Sequence, residues 1–298
     1  MKLLVLLLTI LLTCGRPENG PLAREDASLE VQERINAIRT WAVTCTFDRT
    51  LFACKHPLDG DAVLWNGLLC LSGEIQFCSA VNESVSIDGK LNRSPYWEAN
   101  VRQSDSFSRD MFIGLMAYLI KTKDIELALR VQSYIQANDN KLCTDATDSR
   151  CTMTSTTWGL MAHVWEHLGL ITFGNMLSHK STYTFVVASQ AAFSPKGFES
   201  HLVASHLVLC KFLGIEDRYT EQAANELAKK DPNNPLFVWL AAGYTDQVVQ
   251  LLLQQLPTES HAGRENLQWS IERDTAQQHW LRSMGWEWIY LSNLINRK

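Results

Sequence analysis

A pair of carboxylates can do acid–base work on a polar bond, one giving a proton and the other acting as base or nucleophile. Two aspartates stand at matching places for it. Asp110 closes Ser108-Arg109-Asp110 just ahead of an apolar run, and Asp61 follows Gly60 just ahead of another. A helix N-terminus favours the charged form of a carboxylate, which suits the base better than the acid. Ser-x-Asp and Gly-Asp are also ordinary helix-start signals, so each aspartate has a capping reading beside the catalytic one. His201, at the start of a further apolar run, adds a candidate acid, base or sugar contact. Glu272-Arg273-Asp274 repeats the Arg-Asp pair. Arg109 and Arg273 would bracket one substrate from separate segments, or complement the first turns of two helices.

His163-Val164-Trp165-Glu166-His167 matches H-x-x-E-H, which on a helix puts two imidazoles on one face as zinc ligands. The region around Gly243 and Tyr244 offers no glutamate as a third ligand, and two histidines alone hold zinc weakly. His163 and His167 are therefore read as border residues beside the apolar stripe of Trp158, Met161, Trp165 and Leu168, with His163, Glu166 and His167 kept as the alternative metal set. Among the tryptophans, Trp97, Trp158 and Trp280 are best placed to stack on sugar rings, with His279 beside Trp280; Trp165, Trp239 and Trp288 read as core. The chain has no CxxC pair, nucleophile elbow, Walker loop or dinucleotide fingerprint, and no cofactor is expected.

These residues need elements to position them, and the apolar runs supply a register. Gly67, Gly114 and Gly159 each sit inside such a run, 47 and 45 residues apart, and a further step of 45 reaches Ala204. Gly243 and Gly285 continue the series at shorter steps. A period near 45 is that of a repeated helical hairpin. Six helices result, each with a small residue in its apolar stretch, paired with helices such as 124–138, 184–193, 217–230 and 247–256. The polar stretch 86–105, with its Asp88-Gly89 turn and Ser94-Pro95 break, is the least helical.

The N-terminus reads as an export signal, because Lys2 is followed by a ten-residue apolar run, Leu3 to Leu12, broken only by Thr9 and too short to span a bilayer. Residues 1–15 form the signal, 16–27 a polar tether and 28–298 one helical domain. Leu11-Leu12-Thr13-Cys14 also offers lipidation at Cys14, which would anchor the chain in a membrane. Three closely spaced cysteine pairs, Cys45 with Cys54, Cys70 with Cys78 and Cys143 with Cys151, fit local disulfides in an oxidising compartment, and Cys210 is left as a buried thiol. A net charge of −5 with both signs scattered excludes a basic nucleic-acid surface.

The run of six small-residue helices resembles the (α/α)6 toroid, the six-hairpin barrel of many carbohydrate-active enzymes. The resemblance covers about residues 58–298. It implies an all-α toroid whose cleft lies at the N-terminal ends of the inner helices. The rim would then be Asp61 and Trp65, Ser108 to Asp110, Ser155 to Trp158, Glu199 and His201, Asn234 and Phe237, and Gln278 to Trp280. The function implied is that of an exported glycoside hydrolase or polysaccharide lyase acting on an oligo- or polysaccharide, in the periplasm, at the outer membrane or outside the cell. A non-catalytic envelope lipoprotein or binding protein, and a zinc metallopeptidase, are the alternatives.

Overall fold

The computed structural model describes residues 21–45, 62–95, 107–144, 148–258, 269, 271 and 283–297, with the side chains of 21–27 and 45 left aside. These residues are all-α: the ladder pairs among them are two isolated bridges, Val85 with Leu91 and Lys141 with Thr152. The helices are α1 (Pro21–Ala42), α2 (Ala62–Ser72), α3 (Cys78–Glu83), α4 (Arg109–Thr122), α5 (Ile125–Ala137), α6 (Ser155–His167) and α7 (Met176–Lys180). They continue with α8 (Tyr183–Phe193), α9 (Phe198–Leu213), α10 (Arg218–Lys230), α11 (Pro235–Ala242), α12 (Asp246–Gln255) and α13 (Trp286–Ile295).

Two kinds of helix alternate. In α4 the ten residues Met111 to Ile120 are all buried, and α2, α6, α9 and α13 are nearly as enclosed. A helix that is apolar all round belongs inside. Between them lie helices with a single buried stripe: Leu127, Ala128, Val131, Tyr134 and Ile135 on α5, and Ala223, Ala224 and Leu227 on α10. Contacts link α2 with α4, α4 with both α6 and α9, α6 with α9, α9 with α11, α11 with α12, α12 with α1, α1 with α13, and α13 with α2.

The small-residue register has a direct cause. A Cβ built on Gly67 would lie 2.0 Å from the Gly114 carbonyl oxygen, and one on Gly114 would lie 2.1 Å from the Val63 carbonyl oxygen. The backbones of α2 and α4 thus touch, and no side chain fits between them. Gly159 does the same for α6 against α8, where a Cβ would meet that of Tyr183 at 2.7 Å.

Three expectations change. The stretch 16–27 is not all tether, because α1 already begins at Pro21; a proline fits the first helical turn, where its missing N–H is no loss. The partner of α6 is two short helices, α7 and α8, rather than one. Gly243 and Gly285, expected inside apolar helices, stand instead at the C-terminal end of α11 and just before α13.

Two of the three expected disulfides are present, Cys70–Cys78 and Cys143–Cys151, with Cα–Cα distances of 4.9 and 5.1 Å. Cys54 and the Cys45 side chain lie outside the described residues, as does Cys14. Cys210 is a buried free thiol. Among the described residues no helix is long and apolar enough to cross a membrane.

Candidate functional site

Three inner helices, α4, α6 and α9, present their N-terminal turns to one cleft of about 660 Å³. Ser108 precedes α4 in an extended conformation and makes no side-chain cap, and Arg109 and Asp110 in the first turn line the cleft. Arg109 is exposed and Asp110 half-buried. At α6 the Thr154 hydroxyl accepts from the Thr157 backbone N–H at 3.3 Å and lies 2.9 Å from the Thr157 hydroxyl. Thr156 accepts from Gln190 Nε2 at 3.1 Å, which ties α8 to this rim. At α9 the turn residue is Gly197, with φ of 93°, and Glu199 follows in the first turn and lines the cleft.

Two loops complete the wall. Arg93 comes from the bridged loop after α3, and Arg150 from a 3-10 turn at Ser149–Cys151. Asp148 fixes Arg150: its Oδ1 accepts from the Arg150 backbone N–H and from Nε, both at 2.9 Å, and its Oδ2 accepts from Nη2 at 2.7 Å. A fork of this kind orients a guanidinium as well as pairing it. The Cys143–Cys151 bridge closes the loop, and the Phe107 backbone N–H donates to Cys143 Sγ at 3.1 Å, immediately before α4. The staple therefore sets Arg150 against the α4 terminus.

His206 is the inward edge of the cleft. Its Nδ1 lies 2.9 Å from the Tyr183 hydroxyl, which in turn lies 3.9 Å from Cys210 Sγ. Burial pushes the His206 imidazole down to about 4 and the Cys210 thiol up to about 12, and holds Tyr183 well above the ordinary phenol value. The three groups are neutral at neutral pH, and the direction of the bond between the Tyr183 hydroxyl and Nδ1 follows the imidazole tautomer. Cys210 lines a second cleft, of about 490 Å³, whose Asp217 already caps α10 through the Tyr219 and Thr220 backbone N–H groups.

The structure brings together Arg109, Asp110, Thr156, Thr157 and Glu199 from the expected rim. Trp65, Asn234 and Phe237 are buried and do not line the cleft, and two candidate site residues are corrected. Trp158 is only 3% exposed, with its ring edge-on to Phe173 at 5.8 Å, so it is core rather than a stacking platform. His201 is fully buried, edge-on to Trp269 at 6.1 Å, and not among the residues lining the cleft. Five residues along α9, about 140° round the helix, His206 takes the place expected of His201. Asp61, Trp97, Arg273, His279 and Trp280 lie outside the described residues.

The H-x-x-E-H segment lies at the other end of α6. His163 packs against Tyr183 at 5.4 Å, with its imidazole pushed down by burial and by Lys180. Glu166 points to solvent, its side chain 63% exposed, and pairs with Lys180 at 2.6 Å; His167 is exposed. Among the described residues no three histidine, cysteine, aspartate or glutamate side chains converge as a metal site would need. Arg93, Arg150 and His206 had no periodic signal in the sequence: two come from loops, and the third from a helix apolar on nearly every face. Compared with protein-family models, curated proteins and solved structures, the chain matches none.

Proposed function

We propose that the chain is an exported carbohydrate-active protein of the glycoside hydrolase or polysaccharide lyase type. Its helix packing is read as a six-hairpin toroid, and its working cleft as the one at the N-terminal ends of α4, α6 and α9. The observation that carries this reading is the meeting of Asp110 and Glu199, from two different helices, in one cleft with three guanidinium groups and a neutral imidazole. One carboxyl group would serve as acid and the other as base or nucleophile, while the arginines and helix termini steady developing negative charge. Two disulfides fit the oxidising compartment that the N-terminal leader implies.

The test incubates the purified, disulfide-bonded protein with a panel of neutral and acidic polysaccharides and measures new reducing ends and unsaturated products. Asp110→Asn and Glu199→Gln are each expected to lower the rate by about 10²–10⁴-fold, as loss of a general acid or base does. Both variants should keep the wild-type circular dichroism spectrum. Wild-type rates in both would remove this cleft from the chemistry. Saturable binding without cleavage of any glycan would replace the enzyme by a binding protein.

A further inference from the structure

Two Asn-x-Ser triplets flank the loop after α3, Asn82-Glu83-Ser84 and Asn92-Arg93-Ser94. In an exported chain this triplet is the acceptor of an N-linked glycan, and the asparagine that keeps the glycan must stand on the surface, because the group is bulky and hydrated. The two disulfides fit an oxidising compartment on the export route.

The fold separates the two asparagines. The loop is closed by the bridge of Val85 with Leu91 and by the Asn92 backbone N–H, which donates to the Ser84 carbonyl at 2.9 Å. Asn92 is 6% exposed, and its Nδ2 donates to the Lys90 carbonyl at 3.3 Å. Arg93, the next residue, lines the cleft. A glycan on Asn92 would have to leave through packed protein beside the cleft wall. Asn82 is exposed in the last turn of α3, lines neither cleft, and makes no side-chain hydrogen bond. A glycan on its Nδ2 displaces no contact. Ser84 is buried, its hydroxyl donating to the Ala80 carbonyl at 2.7 Å. Transfer therefore belongs to the nascent chain, before this turn folds.

We infer that Asn82 carries an N-linked glycan and that Asn92 in the folded protein does not. The donor is a lipid-linked oligosaccharide pyrophosphate. Asn82 Nδ2 bonds to the anomeric carbon, the bond from that carbon to the phosphate oxygen breaks, the lipid pyrophosphate leaves, and Nδ2 gives up one proton. The assignment is independent of what the cleft binds.

The full chain with its own leader is expressed in insect cells, and both the secreted and the cell-retained protein are collected. N-glycans are released by a glycosidase in heavy-oxygen water, which marks each former attachment site for peptide mass spectrometry. The mark is expected at position 82 in every fraction and absent from position 92 in the secreted protein. On gels the glycosidase should shift wild type and Asn92→Gln by the same single step and leave Asn82→Gln unshifted. Asn82→Gln changes an exposed side chain without hydrogen bonds, so its circular dichroism spectrum should match that of deglycosylated wild type. An unmarked position 82 in all fractions, or a marked position 92 in the secreted protein, would overturn the inference.

Discussion

A single methyl group tests the contact at the centre of the fold. Gly114→Ala puts a Cβ 2.1 Å from the Val63 carbonyl oxygen and 2.5 Å from Leu64 Cα. Ordinary carbon contacts are about 3.5–4.0 Å, so α2 and α4 must part locally by more than about 1 Å. Both obstacles are backbone, and neither can rotate away. Overpacking a filled core costs about 1–3 kcal/mol and occasionally more. The upper end applies where two nearly fully buried helices must both move. Alanine recovers about 1 kcal/mol through its better helix propensity. The net loss is about 2 kcal/mol, or about 4–8 °C in Tm for a domain of this size. Urea unfolding followed by circular dichroism should show a lower midpoint at unchanged slope. An equal or higher midpoint would mean that the helices have room for a side chain, and the backbone-contact account would fall. Gly67→Ala with Gly114→Ala should cost less than the sum of the two, because the second methyl enters a gap already opened by the first.

The His206 imidazole is held down to about 4, against about 6.5 for a free histidine. Between those values the unfolded chain takes up a proton that the folded chain refuses, so this residue makes stability fall as pH drops from about 6.5 to about 4; urea midpoints measured across that range should fall less in His206→Gln. Glu74 behaves differently. Burial pushes its carboxyl up, but hydrogen bonds from Arg39, Asn293 and Gln76 more than offset this and leave it below the ordinary value. Its stabilisation is present above about pH 4.3 and lost as pH falls through the lower folded value, so the gap between wild type and Glu74→Gln, about 1–3 kcal/mol, should close in acid. Serine at both Cys143 and Cys151 should cost about 2–3 kcal/mol by chain entropy and weaken ligand binding in the cleft; serine at Cys70 and Cys78 should cost a similar amount and leave binding intact.

The small-residue register was legible because it reports a physical necessity. Gly67 and Gly114 must lack a side chain where two backbones meet, and that need appears in the sequence as a repeated position. The starts of α4 and α9 were legible for a related reason: Ser108 to Asp110 and Glu199 break apolar runs, and such breaks mark helix starts. Trp158 and His201 misled because a rim position sets a residue's height along its helix and not the face it takes. Nearly every face of α6 and α9 is apolar, so the hydrophobic pattern could not tell the face of His201 from that of His206. Arg93 and Arg150 were illegible because a loop carries no period. Their placement depends on the bridge of Val85 with Leu91 and on the fork with Asp148.

The seam between α1 and the last helices has a consequence for how the chain reaches this state. Ser28 bonds to Tyr244, Arg34 to the Leu253 carbonyl, and Trp286 Nε1 donates to the Ala42 carbonyl, across 216, 219 and 244 residues. Closing a loop of that length costs about 5 kcal/mol of chain entropy before any contact rewards it, whereas the α2–α4 contact, with Gly67 and Gly114 47 residues apart, costs about 1 kcal/mol less. Folding should begin at that local pair and end at the seam, at the slow rate that distant contacts impose. Once formed, the seam is also where these helices can part again, releasing α1 as a unit while the glycine contact holds. Amide hydrogens in α1 should then exchange ahead of those in α4.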